Sequence, residues 1–178
     1  TQPPITDAQT LELALGAARI NARCDYAQFL GAGSDNVVTA SHYAAQTAGL
    51  KMYLDQTYGP LRLDEMTMWM EHFQRWPKEY PIVAHAESRT LAAVILLAAL
   101  YDRSIHLAHV SLKEEILLIR EAKERGVKVT CDNSLKMLGN YDLVEKMKGE
   151  YGDKIACISI GPAGEMRMCA ATVAFTDM

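Results

Sequence analysis

The sequence predicts an α/β protein with parallel strands, an incomplete (β/α)8 barrel of about five strands followed by a short unrelated α/β tail. Two observations carry this. Apolar strand-like segments begin near residues 24, 49, 81, 104 and 127, each separated from the next by one helical stretch, which is the rhythm of repeated βαβ units. No G-x-G-x-x-G follows the first strand, which turns the reading from a dinucleotide-binding sheet towards a barrel. A closed barrel takes about 250 residues, so 178 leave this one short.

The elements follow in order. Thr6-Asp7-Ala8-Gln9 has capping-box spacing ahead of a helix from about Asp7 to Arg19. Cys24 to Leu30 reads as a buried strand ending at Gly31-Ala32-Gly33, and a helix is expected near Asn36 to Thr47. Gly49 to Leu54 is the second strand, followed by the turn residues Asp55 to Pro60. Asp64 opens an amphipathic helix that Pro77 stops. Pro81 to His85 is a strand, Ser88 to Leu100 a helix, and Ser104 to His109 a strand. Ser111-Leu112-Lys113-Glu114 has capping-box spacing before a helix to Arg125, Gly126 terminates it, and Val127 to Cys131 is the fifth strand. The rhythm breaks after Cys131. A charged helix at Asp142 to Glu150, a strand at Asp153 to Ile160, the loop Gly161 to Glu165 and a Met- and Ala-rich helix put a boundary near residue 132.

Composition narrows the function. Apolar residues make up 49% and charged residues 22%, enough to bury a core. The net charge of -4, without a Lys/Arg block, argues against nucleic acid as a partner. The longest apolar run, Leu91 to Leu100, is about half a membrane span, and Thr1-Gln2-Pro3-Pro4 is not a cationic-apolar leader. Cys24, Cys131, Cys157 and Cys169 stand apart, which points to reduced, buried thiols and a cytoplasmic setting.

Barrel active sites lie at the C-terminal ends of strands, so strand-borne polar residues come first. Lys51, His85 and His109 stand out. A lysine within an apolar strand is costly to bury unless paired or chemically altered, for instance carbamylated into an anionic oxygen ligand. Two imidazoles on following strands offer the nitrogen that zinc prefers. Ordinary readings stand beside these: a hydrogen-bonded core histidine, and a lysine that snorkels to the surface.

Longer stretches carry a resemblance. T-x-P-P-I at Thr1, A-G-L-K-M-Y-L around Lys51, W-M-E-H-F-Q-R-W-P from Trp69 and P-I-V-A-H-A-E from Pro81 resemble the dihydroorotases. S-I-H-L-A-H-V, K-E-E-I-L-L-I-R and R-G-V-K-V-T-C continue the match to Cys131. The resemblance implies an amidohydrolase-type (β/α)8 barrel with two zinc ions bridged by a carbamylated lysine, interconverting carbamoyl aspartate and dihydroorotate in pyrimidine biosynthesis. It implies that Lys51 is the bridging carbamate and that His85 and His109 are ligands of the second zinc. Thr57, in the turn after the lysine strand, is a candidate substrate contact or part of an ordinary surface turn, and Glu87 is a candidate partner for His85 or a solvated carboxylate. His42, His72 and His106 match no ligand position and read as structural.

The first-strand H-x-H pair and the last-strand aspartate of that family have no counterpart in residues 1–131, so little or no turnover is expected. Five strands would also leave exposed edges, an invitation to self-association as a homo-oligomer or to docking on a partner. From about Asn133 the tail, most clearly Tyr151-Gly152-Asp153-Lys154 and I-G-P-A-G-E-M-R from Ile160, resembles the N-terminal domain of the aldehyde ferredoxin oxidoreductases, which are tungsten-pterin and iron-sulfur enzymes. That makes an oxidoreductase contribution the alternative reading.

Overall fold

The structure is a computed structural model that describes residues 3–57 and 59–133, together with the backbone of 156–157 and 171–172. Five parallel strands form one sheet in the order of the sequence: β1 (Phe29–Gly31), β2 (Gly49–Tyr53), β3 (Ile82–His85), β4 (Ile105–Val110) and β5 (Val129–Asn133). Helices α1 (Ala8–Asn21), α2 (Met66–Arg75), α3 (Arg89–Leu100) and α4 (Lys113–Glu124) complete a partial, barrel-like α/β unit. A separate two-stranded antiparallel pair joins β6 (Ala156–Cys157) to β7 (Ala171–Thr172). The other expectations for the tail lie outside the described residues.

The five-strand rhythm holds, and the departures from it have physical causes. Strand β1 is confined to Phe29–Gly31, not Cys24 to Leu30, because its ladder starts where Phe29 meets Gly49. Residues 24–27 are exposed, so Cys24 is a surface thiol, whereas Cys131 is buried. The first capping box sits one residue later than expected: Asp7 is the N-cap and accepts the Thr10 N–H at 2.8 Å. The segment expected as a helix from Asn36 forms a 3-10 helix, Ala40–Gln46. Before it, Asn36 folds inward, donating to the Thr6 and Gly31 carbonyls and accepting the Gly33 N–H.

At the start of α4 the capping acid is Glu115, not Glu114. Its buried carboxylate accepts N–H groups from Leu112 and Ser111, and also from Ser88 at 2.7 Å. One side chain therefore serves two helix starts, since Ser88 is the N-cap of α3.

Alternation along the strands separates two faces. Leu30, Leu50, Met52, Ile82, Ala84, Ile105, Leu107 and Val129 are buried, and pack with Leu91, Val94, Trp69 and Phe73 into one core beneath the helices. Gly49 at φ 150° is required here, because a Cβ would stand 2.6 Å from the Pro81 carbonyl oxygen. Gly126, at φ 83°, ends α4 as expected. The opposite face carries the chemistry.

Candidate functional site

Parallel register fixes which residues share that second face. Lys51 pairs with Val83, Val83 with His106, and His106 with Thr130; Tyr53 pairs with His85. Asp132, two residues beyond Thr130, points the same way. Alternation alone would send His109 into the helix layer, since His106 already faces the site. A bulge prevents this. Register passes from Leu107↔Cys131 to Val110↔Asn133, and His109 takes a left-handed φ of 64°. Its ring then stands 5.8 Å from that of His85, centroid to centroid.

Lys51 sits in the middle of this face. Its Nζ is buried without a hydrogen-bond partner and lies 4.7 Å from the centre of the Tyr53 ring. Burial pushes the Lys51 amine down to about 8, although the Asp132 carboxylate pulls the other way. His85 Nε2 is also buried without a hydrogen bond; the Glu87 carboxylate stands 3.7 Å away, too far to satisfy it. Burial first, then the nearby Lys51 charge, hold the His85 imidazole below its ordinary value. A neutral imidazole is the form that ligates a metal.

Asp132 was not singled out from the sequence. Its Oδ1 accepts the His109 backbone N–H in a short hydrogen bond and lies 3.8 Å from His109 Nδ1, while Oδ2 lies 3.6 Å from His106 Nε2. Burial pushes the Asp132 carboxyl up, but hydrogen bonds and charge from His106 and His109 outweigh it, and the net shift is down. His106 also bonds Thr130 Oγ1 through Nδ1 at 2.9 Å.

The remaining histidines stand elsewhere. His72 is buried and bonds the Gly33 carbonyl through Nε2 at 2.9 Å, whereas His42 is exposed beside Tyr43. Thr57 is half-buried in the loop after β2. That loop is anchored at its start, where Asp55 accepts the Glu87 N–H at 2.7 Å and the Thr90 hydroxyl.

Among the described residues no group of three His, Cys, Asp or Glu side chains forms a ready cage. Two buried polar atoms without hydrogen bonds, on neighbouring strands of one face, nevertheless mark a place that a ligand could satisfy. The imidazole nitrogens of His85 and His109 are of the kind that zinc accepts.

Comparison with known proteins bears on this geometry at two levels. The family model for the aldehyde ferredoxin oxidoreductase N-terminal domain matches residues 82–178, more than half of the chain. The chain belongs to that family. The described part of the match contains β3 to β5, whose ladder is continuous with β2. The multifunctional protein CAD of Squalus acanthias is 50% identical over 132 residues, which is 74% of this chain and 6% of that protein. The inactive dihydroorotase-like domain of the Chaetomium thermophilum CAD-like multifunctional protein superposes with a TM-score of 0.67. It is 29% identical, and the alignment covers 84% of this chain and 48% of that one. The L-hydantoinase of Arthrobacter aurescens shares the fold, with a TM-score of 0.68 at 17% identity over 85% of this chain and 41% of its own. The chain thus carries a dihydroorotase-like segment with an amidohydrolase fold, and spans a small fraction of the curated multifunctional relative it matches.

Proposed function

We propose that this sheet carries part of a zinc-binding cyclic amidohydrolase site of dihydroorotase type, acting on dihydroorotate or carbamoyl aspartate. The observation that carries the reading is the pair of buried, unpartnered atoms Lys51 Nζ and His85 Nε2 on neighbouring strands of one face. Lys51, as its carbamate, and the imidazoles of His85 and His109 would hold the metal, and Thr57 would contact substrate. Zinc bound there supplies charge that polarises a ring amide and lowers the pKa of a water. The chain's own part is to keep the His85 imidazole neutral, to deliver a lysine amine with a lowered pKa, and to line the face with the Tyr53 ring.

These 178 residues contain no H-x-H pair. We assign to them little or no turnover, a dihydroorotase-derived stretch over 1–131 and a distinct tail over 132–178, in a cytoplasmic setting; no described helix is long and apolar enough to cross a membrane. The test is zinc binding by the full chain and by Lys51→Ala, His85→Ala and His109→Ala. Loss in each variant is expected, and binding equal to the parent's overturns the assignment. A Lys51-dependent rate with dihydroorotate overturns the inactivity.

The open face favours a second, non-catalytic reading, in which the chain self-associates or docks on a partner. Phe29, at its edge, is 42% exposed. A monodisperse monomer that unfolds cooperatively speaks against it. The family match over 82–178 supports a third, a fragment of a tungsten-pterin oxidoreductase, which requires tungsten or iron-sulfur absorption in the purified chain.

A further inference from the structure

We propose that Asp132 is the positioning residue of this site: its carboxylate holds the bulge that turns His109 onto the site face and orients the imidazole it presents to a metal. The inference rests on the reading of His109 as a metal ligand, and it adds a residue that lies just past the stretch carrying the dihydroorotase resemblance.

The bulge is the first support. Between the pairs Leu107↔Cys131 and Val110↔Asn133, two residues of β4, Ala108 and His109, stand opposite one residue of β5, Asp132. A bulge takes a backbone N–H out of the ladder, and that group needs another acceptor. Asp132 Oδ1 supplies it by accepting the His109 N–H. Histidine at φ 64° is disfavoured and persists only where its surroundings enforce it. A charged acceptor aimed at that N–H is such an enforcement.

The second support is the ring. Asp132 reaches both histidines of β4, with Oδ1 3.8 Å from His109 Nδ1 and Oδ2 3.6 Å from His106 Nε2. The carboxylate is itself steadied, because His106 is tied to Thr130 on the same strand as Asp132. At this distance the carboxylate acts on the ring through its charge and not through a hydrogen bond, favouring the tautomer with its proton on Nδ1 and leaving the Nε2 lone pair for a cation. Asp132 therefore acts through His109, by backbone and by ring.

The test compares the full-length chain with Asp132→Ala and Asp132→Asn, each checked by far-ultraviolet circular dichroism. Zinc affinity is read by chelator competition, coordination number by cobalt absorption, and the His109 tautomer by long-range 15N–1H NMR on the metal-free chain. Asp132→Ala is expected to weaken zinc binding about 10- to 100-fold, with the cobalt bands keeping their intensity. It is also expected to move the metal-free His109 towards the Nε2–H form. Asp132→Asn, which keeps an oxygen for the His109 N–H, loses less affinity, and it carries the test if the alanine variant does not fold. Unchanged zinc affinity overturns the proposal, as does a changed cobalt coordination number, which would make Asp132 a ligand in its own right. If the parent binds no zinc, the metal reading falls and the tautomer decides: no difference between parent and variants overturns the positioning role as well.

Discussion

The rings of His85 and His109 stand 5.8 Å apart, inclined at 57°, although they come from different registers of neighbouring strands. His85 arrives by ordinary alternation along β3, opposite Ala108. His109 arrives because β4 spends one residue on a left-handed turn, and the site is assembled by that irregularity.

The turn can be read in stability. A left-handed conformation costs an L-residue with a Cβ about 1–2 kcal/mol, and glycine escapes that cost. His109→Gly is therefore expected to be more stable than His109→Ala by about 1 kcal/mol, the reverse of the order in a regular strand. Urea unfolding of the two variants checks it. Equal midpoints would mean that β4 relaxes to regular alternation once the imidazole is gone.

Lys51 gives the fold a pH dependence of definite sign. Burial lowers its amine from 10.5 to about 8 in the folded chain. Between those values the unfolded chain holds a proton that the folded chain has released, so stability rises with pH across the window. Below about 8 both states are protonated and the cost of the buried ammonium is fully present. In degassed, metal-free buffer the stability of the parent should climb relative to Lys51→Met as pH goes from about 8 to 10.5. Parallel curves would place the ammonium in water.

Much of this was legible in the sequence, and the gaps have causes. Strands β2 to β5 are short apolar runs between helix stops, so periodicity found them within about two residues. Strand β1 was overdrawn because Cys24-Asp25-Tyr26-Ala27-Gln28 looks strand-like locally, yet pairing with Gly49 begins only at Phe29. Lys51 and His85 stand out as polar residues in apolar strands, and regular alternation puts both on one face. The face of His109 could not be read this way, since a bulge leaves no mark in composition. Asp132 is hidden for the opposite reason: composition breaks after Cys131, which marks a boundary in the sequence, while strand β5 continues to Asn133.

The capping acid of α4 separates sequence spacing from geometry. Glu114 has the spacing, but Glu115 is buried and collects N–H groups from Ser88, Ser111 and Leu112. Glu115→Ala should cost about 1–2 kcal/mol by removing the acceptor shared by two helix starts. Glu114→Ala, on the exposed side, should fall within about 0.5 kcal/mol of the parent. Chemical denaturation of both variants decides between the two positions.

Arg103 makes the sharpest stability prediction, because a cation that is only 4% exposed must be matched by acceptors. Its Nη1 donates to the Phe73 carbonyl at 3.0 Å and, more closely, to that of Trp76, while Nη2 donates to Pro77 at 2.8 Å. These carbonyls lie at and just beyond the end of α2, where intrahelical donors run out. One planar fork from the loop before β4 thus closes α2. Arg103→Met keeps the stem's packing and removes every donor, and should cost about 3 kcal/mol, measured by urea unfolding. Arg103→Lys should recover only part of that loss, since an ammonium offers a point charge where four carbonyls, that of Tyr80 among them, meet a fork. If lysine restored full stability, charge alone would be closing the helix and the guanidinium geometry would be incidental.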